Sequence, residues 1–292
     1  IFEMFKDETV RYSTVEKPGT DFKVMKVNFY NEVLTGFSLI CSYPTIANDN
    51  ARFVSNFRTV ALNEPENYSP HSSEGTRHDR RIAVYLCCLY EAGFKAPENF
   101  KVEFRISQEV LNAVGLNITI KNGYLKLSLE DASNWWSKFW DVYREANVFT
   151  EYYKEKGREW ADDDLKALLT ILTRKRTPGG QADCDGFRIL KPVKTQHTAE
   201  IQRPFDRDIL NQLRLGKIVI VDLSLGEEEI QRMFSERITR TIFDNSLKRF
   251  TDAKPNNFIQ FYFEEAHNLF PKKEEKDLSQ IYNRLAKEGA KL

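Results

Sequence analysis

The sequence predicts an α/β fold in which part of a parallel sheet carries a large, mainly α-helical insertion. Three observations predict it. Lys217-Ile218-Val219-Ile220-Val221-Asp222-Leu223-Ser224 is a continuous apolar run closed by an acid and a small polar residue, as suits a buried parallel strand whose carboxyl end faces a site. Gly226 to Phe250 follows as an amphipathic helix with Ile230, Met233, Phe234, Ile238, Ile242 and Phe243 on one face, and Phe258 to Phe263 is a second apolar run ending in Glu264-Glu265. Strand, helix, strand in that order is the β-α-β unit of a parallel sheet. The long stretch before it shows helical rather than alternating periodicity, which makes it an insertion.

Taken in chain order, residues 1–45 form the early part of the core, 46–203 the helical insertion with a small hairpin, and 204–292 the acid-bearing end. The first segment is expected to hold a short helix and then a half-buried strand over Phe22 to Tyr30. In the insertion, Phe53, Phe57, Val60 and Ala61 recur at helical spacing, and Arg81 to Tyr90 reads as a second helix. The Pro, Ser and Gly content of Asn63 to Gly75 marks the loop between them. Asn122-Gly123 between Ile118-Thr119-Ile120 and Tyr124-Leu125-Lys126-Leu127 predicts a hairpin on a type I′ turn. Glu130 to Lys156 reads as one long helix, and its rings Trp135, Trp136, Phe139, Trp140 and Tyr143 recur at helical spacing and so belong to a core. Asp162 to Arg174 has an acidic first turn and a basic last turn, as a helix dipole prefers, and Phe205 to Arg214 is the helix that leads into the sheet.

Composition narrows the function classes. Lys plus Arg and Asp plus Glu each number 43 among 292 residues, so the net charge is zero and no uniformly basic surface exists, although a local basic strip can still bind DNA. The four cysteines, Cys41, Cys87, Cys88 and Cys184, lack C-x-x-C spacing, which argues against a zinc site or a disulfide framework. No stretch is long and apolar enough to span a membrane and the first residues do not form a signal peptide, so the reading is a cytoplasmic protein without a membrane partner. A start at Ile1 and an end just after a helical pattern suggest a piece of a longer gene product.

Two acids at the end of an apolar strand suit nucleotide hydrolysis, in which one acid serves magnesium, often through water, and the next polarises the attacking water. The neighbouring residues carry a resemblance. Val221-Asp222-Leu223-Ser224, then Phe263-Glu264-Glu265-Ala266-His267-Asn268-Leu269-Phe270-Pro271, then Arg284-Leu285-Ala286-Lys287-Glu288-Gly289-Ala290-Lys291 are similar, in this order, to motifs of the HerA/FtsK family of DNA-translocating P-loop ATPases, in particular its HerA-like branch. The similarity covers about the last quarter of the chain. It implies a partial P-loop NTPase sheet of the RecA/FtsK-like kind, with residues 204–292 as its Walker B half. It further implies ATP and Mg2+ as cofactors, double-stranded DNA as substrate, and a hexamer when complete. Glu265 would be the catalytic glutamate and Glu264 the magnesium-side acid, with His267 and Asn268 as neighbours of the γ-phosphate. Asp222 and Ser224 would shape the adjacent strand end, and Arg284 or Lys291 would be trans-acting basic candidates, since the family's arginine position is Ala290 here.

One departure matters for chemistry. No G-x-x-x-x-G-K-[ST] occurs in the 292 residues, and the single Gly-Lys, Gly216-Lys217, enters a strand. Without a phosphate-cradling loop this chain is expected not to hydrolyse ATP by itself. The competing expectation is a non-catalytic, P-loop-derived scaffold that binds a nuclease or effector.

Overall fold

The computed structural model describes residues 2–115, 120, 122–200, 203–264 and 280–291. After a 3-10 helix at Phe2–Glu8, the elements in chain order are β1 (Thr9–Ser13), β2 (Lys23–Val24), α1 (Val33–Ser42), α2 (Pro44–Ala47), α3 (Arg52–Arg58), α4 (Ser73–Glu91), β3 (Lys101–Arg105), α5 (Gln108–Ala113), β4 (Tyr124–Ser128), α6 (Leu129–Val142), α7 (Asn147–Lys156) and α8 (Asp163–Thr173). A second 3-10 helix, Gly186–Gln196, is followed by α9 (Phe205–Arg214), β5 (Ile218–Asp222), α10 (Glu228–Thr251) and α11 (Ile281–Glu288). The chain divides into two compact units, one formed by Ile1–Lys26 with Gln202–Leu292 and the other by Val27–Ile201.

The first unit is built on a parallel sheet ordered β2-β1-β5, in which Thr9 to Ser13 run alongside Ile218 to Asp222. Sheet and helices therefore mix as an α/β arrangement. Helix α10 buries Ile230, Phe234, Ile238, Ile242 and Phe243, the face its periodicity predicts. On that face Phe243 packs with Ile281 and Tyr282 of α11, and Leu247, Phe263 and Leu285 close the cluster. Tyr282 donates its hydroxyl to Ser235 Oγ at 2.6 Å. Helix α9 is tied to α10 by a buried carboxylate: Asp206 accepts from Arg237 Nε at 2.9 Å and from Thr241 Oγ1 at 2.8 Å.

Two expectations for this sheet are corrected. Strand β5 is an edge rather than a buried strand, because no neighbour lies beyond it among the described residues, and Ile218 and Ile220 stay 47% and 42% exposed. Phe258 to Phe263 forms no ladder and so is not a strand. Its residues nonetheless alternate, with Phe258, Gln260 and Tyr262 exposed and Ile259, Phe261 and Phe263 half-buried. Phe261 and Phe263 stack two residues apart at 5.7 Å, as extended backbone allows.

The second unit is helical around α4. Helices α4, α6 and α8 pack together, and β3 pairs antiparallel with β4. The rings of α6 are core: Trp136 lies 4.8 Å from Phe104, Phe139 lies 4.9 Å from Trp160, and Trp135 and Trp136 are 1% and 0% exposed. Serine and aspartate caps start these helices. Ser72 Oγ accepts from Gly75 N, Ser128 Oγ from Asp131 N and Asp162 Oδ1 from Leu165 N, at 2.9, 3.1 and 2.9 Å. The single helix expected over Glu130 to Lys156 is two, because the chain turns after Val142 and brings Phe149 back to 5.2 Å from Phe139.

The hairpin differs in partner. Asn122 and Gly123 adopt φ of +57° and +77°, as a type I′ turn demands, yet β4 pairs with Lys101–Arg105 and α5 lies between them in sequence. Of the expected first strand, Ile118 and Thr119 lie outside the described residues. The strand expected over Phe22 to Tyr30 is also divided. Lys23–Val24 joins β1 in the first unit, whereas Val27 belongs to the second, where its N–H donates to Gln196 O at 2.9 Å. His197 fastens that end: its Nδ1 accepts from Phe29 N at 3.2 Å, which leaves Nε2 to donate to Lys95 O at 2.7 Å.

Candidate functional site

Parallel pairing of β1 and β5 places both carboxyl ends at one edge of the sheet, where ligands of open parallel sheets bind. Beyond β1, Thr14 and Lys17 turn toward the residues that follow β5. Thr14 Oγ1 donates to Leu225 O at 2.5 Å, and Lys17 Nζ forms an ion pair with Asp222 Oδ2. The other carboxylate oxygen, Asp222 Oδ1, accepts from Ser224 N at 2.9 Å and from Ser224 Oγ at 2.6 Å. Lys17 also sits 4.9 Å from the Phe22 ring centroid, a cation over an aromatic face. Gly226, at φ +104°, is required here, since a Cβ would meet Thr14 Oγ1 at 3.3 Å in a backbone region that side chains disfavour.

The electrostatics follow from these partners. Lys17, then the Ser224 hydroxyl and amide, hold the Asp222 carboxyl down to about 2, so it is an anion at neutral pH. On β1, Tyr12 Oη donates to Asp208 Oδ2 of α9 at 2.7 Å, and Lys23 Nζ of β2 approaches the same oxygen at 3.1 Å. Burial alone would raise the Asp208 pKa, but the bonds from Tyr12 and Lys23 bring it below the ordinary carboxylate range. Burial, then Asp208, push the Tyr12 phenol upward, so it stays a neutral donor.

Of the residues expected to form a site, the structure brings Asp222 and Ser224 together. Glu264 is exposed in a turn, and no hydrogen bond or ion pair joins it to Asp222 or Ser224 among the described residues. Glu265, His267 and Asn268 lie outside the described residues. Arg284 lies over the Phe243 ring at 4.7 Å and pairs with Glu288 at 3.5 Å, so it supports α11 against α10; Lys291 is exposed in the closing 3-10 turn. Thr14 and Lys17 were invisible to motif reading, because only the β1–β5 pairing brings them to Asp222.

Asp222 is a poor metal ligand as it stands, since Lys17 and Ser224 engage both of its oxygens. Glu264 is exposed, and among the described residues no group of three or more His, Cys, Asp or Glu side chains could hold a metal ion. No family model, curated protein or solved structure matches the chain.

Proposed function

We propose that this chain carries the acid-bearing half of a HerA-like P-loop ATPase core, which couples ATP hydrolysis to movement on duplex DNA as a hexamer. The observation that carries the reading is one of order and place. A parallel strand ends in Asp222-Leu223-Ser224 at the sheet's carboxyl edge, a long helix follows, and an extended, alternately buried segment then leads into Glu264-Glu265-Ala266-His267-Asn268.

In this reading Glu265 takes the proton of the attacking water and Glu264 faces the metal side. Glu264 would help hold Mg2+ brought by the nucleotide, and the ion would supply charge neutralisation at the phosphates. His267 and Asn268 read the γ-phosphate, and Arg284 or Lys291 offers positive charge to a neighbouring subunit. Asp222, fixed by Ser224, is a positioning residue that holds the Lys17 ammonium at the carboxyl edge.

A second reading, a P-loop-derived scaffold for a nuclease or effector, is favoured by the lack of a G-x-x-x-x-G-K-[ST] motif in these residues. The two separate in an assay of Mg-ATP hydrolysis, with and without duplex DNA, on a protein carrying this segment together with a phosphate loop. DNA-stimulated hydrolysis is the expected result. Nucleotide-independent capture of a partner without hydrolysis would replace the ATPase reading with the scaffold.

A further inference from the structure

From Phe187 on, the 3-10 helix Gly186–Gln196 has a three-residue period of burial. Leu190, Val193 and Gln196 are buried, and Arg188, Lys191 and Lys194 are exposed. Side chains three apart eclipse in a 3-10 helix at about 2.0 Å rise per residue, so the three cations form a straight ridge at steps of about 6 Å. None of them forms an ion pair among the described residues, and no acid occurs between Asp185 and Glu200. Lys95, whose backbone carbonyl His197 holds, is also exposed. In a chain of zero net charge, this is a local basic strip.

We propose that the Arg188-Lys191-Lys194 ridge binds the phosphate backbone of a nucleic acid. A row of unpaired cations at regular steps matches a polymer with one phosphate per nucleotide, and phosphate contacts supply most sequence-independent affinity. The surface does not suit a lipid bilayer. An interfacial helix presents its apolar face outward, whereas Leu190 and Val193 are both 0% exposed, Ile189 is half-buried, and the exposed residue between the cations is Pro192. The inference deepens the DNA-partner part of the proposed function but rests on the second unit alone.

The test is fluorescence anisotropy of a short labelled DNA duplex, titrated with the chain over a salt series without nucleotide. The wild type is expected to bind with an affinity that falls as salt rises. R188A/K191A/K194A is expected to lose at least about tenfold in affinity at low salt and to flatten the log–log salt slope by about 2.7, at about 0.9 per phosphate contact. R188K/K191R/K194R, which keeps the charge, is expected to retain binding. Thermal melts check folding, and if the triple variant does not fold, each single alanine variant should lower the slope by about 0.9. No binding by the wild type, or an unchanged slope in a folded variant, overturns the proposal. Preferential binding to phosphatidylserine vesicles or to polyglutamate overturns it in favour of a membrane or an acidic protein. Because no nucleotide is present, failure of the ATPase reading leaves this result standing.

Discussion

At the scale of single residues, Asp222 shows how a carboxylate at a strand end finds its partners. A carboxylate that closes an apolar run needs partners, and Ser224 and Lys17 supply them. Its folded pKa of about 2 lies below the unfolded value of about 3.9, so the stabilisation is complete above the unfolded value and is lost as pH falls toward about 2. Urea unfolding of wild type and D222N across that window should therefore show a pH-dependent difference that vanishes at the acid end. At neutral pH the difference should be about 1 kcal/mol, as for a partly exposed pair. A difference independent of pH would mean that the pair does not hold the carboxyl down. Asp206 is the opposite case, being 4% exposed and holding Arg237 and Thr241. Asp206→Ala should cost about 3 kcal/mol in the same experiment, because it removes the buried carboxylate that pairs with Arg237 and accepts from Thr241. The pairing of Asp222 with Ser224 is legible in the sequence, since the two are near neighbours after an apolar run. Lys17 is not, because 205 residues separate it from Asp222 and only strand pairing joins them.

At the scale of elements, helices with strong local signals match expectation. Helix α9 spans Phe205–Arg214 as read from its periodicity, and α8 starts at its Asp162 cap. Short strands were harder. β1 and β3 have five residues each, and Thr9-Val10-Arg11-Tyr12-Ser13 offers too few alternations to stand out from its surroundings. The Asn122-Gly123 turn geometry was legible, but its strand partner was not, because pairing with Lys101–Arg105 goes with burial of Val102 and with packing of Phe104 on the α6 rings, both far from the turn in sequence. That ring cluster should dominate the stability of the second unit. Trp136→Ala should lower its unfolding free energy by about 3 to 5 kcal/mol in denaturant titrations, through lost burial and the cavity left behind. A cost below about 1 kcal/mol would show that the rings are not packed as described.

At the scale of the whole molecule, the chain combines a small parallel-sheet unit carrying the acids with a helical unit carrying a basic ridge. No described helix is long and apolar enough to cross a membrane. The α/β class was legible from the apolar strand β5 and the amphipathic helix after it, although the parallel partner of β5 is β1 and not the segment Phe258 to Phe263. The edge position of β5 was not, since an apolar run reads the same whether or not a further strand covers it. The 292 residues alone should show no ATP turnover above background in a phosphate-release assay, for want of a phosphate loop. Turnover by this chain that Glu265→Gln abolishes would show a self-sufficient enzyme instead. The most direct test of the ATPase reading is the kinetics of Glu265→Gln in a protein carrying this segment and a phosphate loop, with nucleotide affinity measured alongside kcat. The account predicts unchanged ATP binding with kcat lowered by at least about 10², as expected when a general base is removed and its shape kept. An unaltered kcat would contradict it and move the catalytic role to Glu264 or off this segment.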